Sequence, residues 1–525
     1  MILRLIKQIA WLDVILLAAS VGVLLYGCLY WRGLWADDAF ISFRFSRNLA
    51  DGFGPVYNPG ERVEGYTSPL WVFGMAGAIK SGIDPAWLAR RVGVGSAIGL
   101  LVLLYRSLVQ VGVSGWGAAL TTFLLSSCIL VHTWTMAGME TLLYSLILFG
   151  GLCGLAMSDA TPRPAFWTSL LLILAVLTRP EAAVFWVAGI TWVVLRKRRD
   201  VALSALAYLL PSVLVIAYLA WRYFYFGDLL PNTYYAKLGS DPSLLLAAGV
   251  RELKNLIAMP GHLAWTGMAL AGAMLGGWRC GQGRSVLVMA TAAAFYSVYV
   301  VSVGGDSLGG YRFHVPMLAP LAFLAGLVFH AGASQPLNWL RAPAALAVVA
   351  AVVGVHSLME SDARPRVDDR YLEGNQKLGR YLAQERPADT LIAVSAGGVI
   401  PYLSGLPTLD LYGLTDRHIA RQPFTERRAW SGHMKWDSKY ALARQPNIFI
   451  ANRGYFRAGD PKADGVLDKP FSLTHDPMER DLFGYLLWNK DYELRAIQFA
   501  DGSQFFVFER TLPRDPVADL LVELP

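Results

Sequence analysis

The chain has 525 residues, 55% of them hydrophobic and 16% charged, with a mean hydropathy of +0.41. That balance excludes an ordinary soluble protein and predicts an integral membrane protein. The formal charge of +7 does not indicate nucleic acid: no basic stripe is interleaved with aromatics, and the tightest cluster, Arg196-Lys197-Arg198-Arg199, directly follows an apolar run, as the positive-inside rule expects of a cytoplasmic loop.

The N-terminus, MILRLIKQIAWLDVILLAASVGVLLYGCLYW, starts basic as a signal peptide does, but its apolar run is long enough to span and no small-residue cleavage site follows. It reads as an uncleaved first helix, 12–31, with a cytoplasmic N-terminus. Further apolar stretches fall near 69–80, 92–112, 115–131, 141–157, 165–178, 181–195, 201–223, 262–278, 285–303, 313–330 and 342–358, which predicts about 11–12 membrane helices. From about Ser361 onward, charges, prolines and turn residues replace the spanning runs. The chain therefore divides into a transmembrane part, 1–358, whose first outer loop is 32–68, and a soluble part, 359–525. In the soluble part, DTLIAVSAGGVIPYLSGLPTLDLYGL reads as a β-run, a glycine turn, a short helix and a second β-run, and GSQFFVFER alternates like a strand. This part is expected to be α/β.

Cys28, Cys128 and Cys153 sit in apolar segments and Cys280 in a short basic loop, so neither a disulfide framework nor a CxxC metal site can be drawn. Counting sides from the cytoplasmic N-terminus and from the 196–199 cluster puts Asp37-Asp38 and the soluble part outside. The two counts agree only if one stretch within 92–131 does not cross or 165–195 is a broken pair; a re-entrant or short helix in 115–131 resolves the parity.

On that outer side six polar islands converge: Asp37-Asp38, Glu61 to Glu64, Gly138-Met139-Glu140, Thr178 to Glu181, Asp228 to Lys237, and Asp306 to His314. Ionisable residues at membrane depth are costly and mark substrate paths. A carboxylate there can take a proton from an attacking hydroxyl; equally, Asp37 and Asp38 can cap the following helix AFISFRFSRNLA and pair with its Arg44 and Arg47. Arg179, Lys237 and Arg312 are cations beside helix ends, the chemistry that holds a phosphate, although each taken singly also fits an interfacial anchor. His314 has no partner at metal-ligand spacing and reads as a packed or hydrogen-bonded histidine. Two other classes fit many helices with polar islands: a flippase or transporter, which should place charges in mid-helix and show two similar halves, and a sensory or structural protein whose tail binds glycan.

WADDAFISFRFSRNLADGFGPVYNPGERVEGYTSPLW, AGMET, LTRPEAA, FGDLLPNTYYAK, GGDSLGGYRFHVPMLAP, LDLYGLTDRHIAR and SGHMK, in this order, resemble the polyprenyl-phosphate-dependent arabinofuranosyltransferases of the GT-C glycosyltransferase superfamily. That family includes mycobacterial terminal β-arabinofuranosyltransferases and pilin-modifying enzymes of pseudomonads. The resemblance implies a polytopic α-helical enzyme of the bacterial inner membrane with its active site and C-terminal α/β domain in the periplasm. It implies a polyprenyl-phosphate-linked sugar, D-arabinofuranose, as donor, and an acid of the first outer loop, Asp37 ahead of Asp38, as catalytic base. The expected scheme is inverting transfer to a glycan or pilin acceptor, with Arg179, Lys237 and Arg312 on the donor phosphate and Glu64, Tyr66, Glu140, Glu181, Asn232, Asp306 and His314 as sugar or acceptor contacts. No metal and no other cofactor is expected, because three cations suffice for a monophosphate leaving group. The expected partners are the lipid-linked sugar, the acceptor and membrane lipids; acceptor docking is the role expected of the soluble part.

Overall fold

The computed structural model describes residues 11–195, 200–237, 242–278, 281–306, 308–330, 369–423, 433–474 and 476–515. The basic cluster 196–199, the apolar stretch 342–358, Cys280 and the first two residues of SGHMK lie outside the described residues.

Every apolar stretch from 12–31 to 313–330 is helical. Among the described residues five helices are long and apolar enough to cross a membrane: Trp11–Tyr30, Pro85–Gln110, Val201–Phe226, Gly283–Ser302 and Arg312–Phe329. Gly115–Ser126 and Ile129–Met136 form a pair bent by 57°; it starts beside Asp13 and ends beside Ala36, at opposite ends of the helix Trp11–Tyr30, so it runs through as a broken span and corrects the expectation of a re-entrant segment in 115–131. Thr141–Met157, Pro162–Thr178 and Pro180–Val194 are shorter apolar helices. The stretch 69–80 corrects an expectation, since the helix Pro69–Lys80 has 12 residues and at 1.5 Å per residue reaches roughly 18 Å, too short to cross alone. Helix starts follow local chemistry: Pro85 takes the first turn of its helix, and Asp84 accepts a hydrogen bond from the Trp87 N–H at 2.6 Å. Small residues let these helices close up; a Cβ on Gly272 would lie 1.8 Å from the Leu324 carbonyl oxygen.

The tail carries a five-stranded sheet in the order β2-β1-β3-β5-β4, with β1 Ile392–Val394, β2 Thr408–Asp410, β3 Ile448–Phe456, β4 Tyr492–Gln498 and β5 Gln504–Arg510. β2, β1 and β3 are parallel, and β5 and β4 antiparallel to their neighbours. Alternation in FFVF divides the core: Phe505 and Val507 pack with Ile392, Val394 and the helix Asp369–Glu385, whereas Phe506 and Phe508 face the helix Pro477–Trp488. The glycine turn and short helix expected between the two β-runs are Gly397-Gly398 and Val399–Ser404.

The helix Asp37–Ala50 of the first loop joins the tail to the membrane helices. Arg44 is buried and donates from Nε to the Tyr57 carbonyl at 2.7 Å, from Nη1 to the Pro401 carbonyl at 2.5 Å and from Nη2 to the Leu406 carbonyl at 2.7 Å. Arg47 donates to the Tyr402 carbonyl at 2.7 Å and stacks on the Tyr402 ring at 3.8 Å. The Asn58 amide both donates to the Thr408 carbonyl and accepts from the Thr408 N–H, at 2.8 and 3.0 Å, on the edge strand β2. Neither arginine pairs with Asp37 or Asp38.

Candidate active site

A cavity of about 1290 Å³ lies between the membrane helices and the tail. Of the residues singled out in the sequence, Asp37, Asp38, Lys237, Asp306 and Arg312 line it.

Asp37 and Asp38 open the helix Asp37–Ala50, but they do not cap it. The capping position is Ala36, with no side-chain cap bond, which overturns the capping alternative. Asp37 reaches across to the tail, where its Oδ2 accepts from the Gly398 N–H at 2.9 Å and its Oδ1 from the Val399 N–H at 3.0 Å. Burial pushes its carboxyl up to about 6 against the downward pull of these two bonds, and the neighbouring Asp38 adds to the rise. Asp38 is more open, with its side chain 35% exposed, and its Oδ2 lies 3.4 Å from Arg312 Nη1.

Arg312 is buried and shared. Its Nη2 bonds Asp306 Oδ1 at 3.0 Å, and its guanidinium stands 4.9 Å from the Phe313 ring centre. The loop that delivers it turns sharply: Gly304, Gly305, Gly309 and Gly310 all have positive φ, as does Tyr311 at 54°, a conformation uncommon outside glycine. Glu252 pins this loop by accepting from the Asp306 N–H at 2.8 Å, and its Oε1 lies 3.3 Å from His314 Nε2. Lys237 ends the short helix Asn232–Lys237; its side chain is exposed to the cavity and makes no ion pair among the described residues.

The other predicted site residues stand outside the cavity lining. Arg179 bonds Glu140 at 2.9 Å and lies 3.8 Å from Glu181; its guanidinium is 5.5 Å from the centre of the same Phe313 ring, so it sits behind the wall that carries Arg312. Glu64 binds Arg222 at 2.8 Å and accepts from the Tyr218 hydroxyl at 2.5 Å, and the buried Tyr66 packs on Phe45. Asn232 holds the tail by donating to the Gly413 carbonyl at 2.9 Å. His314 is fully buried.

Sequence reasoning missed the tail's share of the lining, including Arg370, Tyr371, Ser395, Asp410, Asn452 and Arg453, and missed Glu252 on the helix Pro242–Ala258. The helical spacing of leucines in PSLLLAAGVRELKNLIA signals that helix; nothing local marks the tail residues as neighbours of the first loop. Among the described residues no group of three or more His, Cys, Asp or Glu is placed to hold a metal ion.

Comparison with known proteins agrees with this architecture. A family model described as a domain of unknown function (DUF8728) matches residues 365–511. The terminal beta-(1->2)-arabinofuranosyltransferase of Corynebacterium glutamicum is 29% identical over 356 residues, covering 58% of this chain and 50% of that protein; the chain thus spans about half the length of that relative. The protein of the same name from Mycobacterium tuberculosis is 45% identical over 58 residues, 11% of this chain and 9% of that protein. The crystal structure of ArnT from Cupriavidus metallidurans bound to undecaprenyl phosphate superposes with a TM-score of 0.54 at 13% identity, covering 95% of this chain and 99% of that one, and apo ArnT gives 0.51 at 14% over 94% and 97%. The chain is a multi-pass membrane protein with the GT-C fold of ArnT, similar in sequence to terminal arabinofuranosyltransferases.

Proposed function

We propose that the chain is a glycosyltransferase of the bacterial inner membrane that moves D-arabinofuranose from a polyprenyl phosphate to a hydroxyl of a periplasmic glycan or pilin acceptor. The observation that carries this is the cavity in which the acids Asp37 and Asp38 face the cations Lys237 and Arg312. The names of the two relatives support the sugar, and the undecaprenyl phosphate in the ArnT crystal supports the class of lipid. In this reading residues 1–358 form the catalytic membrane domain and 359–525 a periplasmic domain that closes over it.

The acceptor hydroxyl gives its proton to a free lone pair of Asp37 as its oxygen attacks the anomeric carbon. The bond from that carbon to the phosphate oxygen breaks on the opposite face, and its electron pair leaves with the polyprenyl phosphate, so one in-line displacement inverts the configuration. A carboxyl held near 6 is ionised at neutral pH and still basic enough to accept a proton. Lys237 and Arg312 take up the charge growing on the phosphate, with Asp38 and Asp306 keeping Arg312 in place. Arg179, neutralised by Glu140 and Glu181, supports the Phe313 wall from behind.

The test is transfer by the full chain in nanodiscs, with polyprenyl-phosphoryl arabinofuranose as donor and an arabinofuranosyl oligosaccharide or a purified pilin as acceptor. New product of inverted configuration supports the reading; intact donor after prolonged incubation with both acceptors overturns it. The same assay in excess EDTA is expected to run at the untreated rate, because the leaving group is met by side-chain cations. Lys237→Ala should raise the donor KM about tenfold or more, the worth of one lost charged hydrogen bond. Arg179→Ala should instead lower the melting temperature by leaving Glu140 and Glu181 buried and unpaired.

A further inference from the structure

We infer that the Gly398-Val399 turn of the tail is a positioning element of the transferase site, its two backbone N–H groups holding the Asp37 carboxylate in the orientation that receives the acceptor proton. This rests on the assignment of Asp37 as the base. The two bonds, 2.9 and 3.0 Å, engage one oxygen each, so the plane of the carboxylate is fixed and each oxygen keeps a second lone pair.

The turn is held on its far side as well. The Tyr57 hydroxyl donates to the Gly397 carbonyl at 2.5 Å, and Arg44, whose guanidinium lies 4.4 Å from the Tyr57 ring centre, bonds the carbonyls of Pro401 and Leu406 just beyond. Contact between turn and helix leaves no space for a side chain: a Cβ on Gly398 would meet the Asp37 carbonyl oxygen at 2.0 Å and Oδ2 at 2.5 Å. Position 398 therefore requires glycine because of what it touches, and what it touches is the base.

The titratable groups that face Asp37 are Asp38 on its own helix, Asp410 at the end of β2, Tyr57 in the first loop and Tyr371 on the helix Asp369–Glu385. Asp38 and Asp410 oppose a further negative charge, which leaves the two N–H groups as the contacts that favour the ionised carboxylate. Without them Asp37 holds its proton to higher pH and is misaligned at lower.

Gly398→Ala, made in the full chain in nanodiscs, is expected to lower kcat on the order of 100-fold, the cost of a displacement near 1 Å at a reacting group. The acid limb of its pH profile should move to higher pH, while binding of undecaprenyl phosphate stays at the wild-type level. Gly484→Ala, on the helix Pro477–Trp488 with open space around it, should match wild type in all three. A Gly398→Ala enzyme with wild-type kcat and pH limb beside an inert Asp37→Asn overturns the positioning role. Loss of undecaprenyl phosphate binding along with kcat, without movement of the pH limb, also overturns it by showing a general fault of folding. An active Asp37→Asn overturns the base assignment beneath.

Discussion

Asp37→Asn is expected to lower transfer about 10²- to 10⁴-fold, the usual contribution of a general base, with donor binding retained. The amide keeps the shape of the carboxylate and can still accept one N–H bond from the tail, so the fold should survive and the loss should fall on kcat. The wild-type enzyme should show a matching pH dependence. Burial and Asp38 hold the Asp37 carboxyl up to about 6; below that pH it is protonated and takes no proton, so kcat/KM should climb through pH 6 and level off above it. Asp38→Asn should act differently, loosening Arg312 and raising the donor KM more than it lowers kcat. Steady-state kinetics of the two variants from pH 4.5 to 8 check this. Normal transfer by Asp37→Asn beside an inert Asp38→Asn would move the base to Asp38.

The second large effect is expected at Arg44, far from any reacting atom. Arg44→Met removes the donor to the carbonyls of Tyr57, Pro401 and Leu406 and to the Asn58 amide oxygen, all inside the joint between first loop and tail. Each buried acceptor left unsatisfied costs about 1–3 kcal/mol, so several kcal/mol of docking are lost together. Limited proteolysis should then release the tail at protease levels that leave wild type intact, and the melting temperature should fall. Arg44→Lys should rescue little, because one ammonium cannot reproduce the guanidinium fork. Wild-type resistance in Arg44→Met would show that the joint is held elsewhere, for example by Asn232 on Gly413 or Arg417 and Arg421 on Asp228.

Much of this molecule is legible in its sequence, and the reasons differ from element to element. The membrane helices show because lipid demands long apolar runs, and the small sheet shows because FFVF and the run before AGGV carry the period of strands. The outer loops announce their importance by keeping ionisable residues where burial is costly. Roles within that set are not legible, since Asp37, Glu64 and Asn232 look alike as polar residues at a helix edge. Only distance shows that Asp37 lines the cavity while Glu64 is bound to Arg222 and Asn232 to the tail. Capping was the natural local reading of Asp37-Asp38, and it failed because the N–H groups that Asp37 satisfies belong to a turn 361 and 362 positions away. Local patterns carry no information about such a partner.

On the proposed function, that separation also sets the order in which the site is assembled. During synthesis the first loop is complete when most of the chain has yet to be made, and contacts this remote close slowly because the loop entropy must be met first. The growing polypeptide can form the helices that carry Lys237 and Arg312 first, but the Asp37 carboxylate lacks its two backbone donors until β1 and the Gly398-Val399 turn have been translated and folded. On that reading a product stalled before the turn is expected to lack transfer, its base unoriented. Folding of the tail would then be the step that makes chemistry possible, a dependence that follows from the connectivity of the chain.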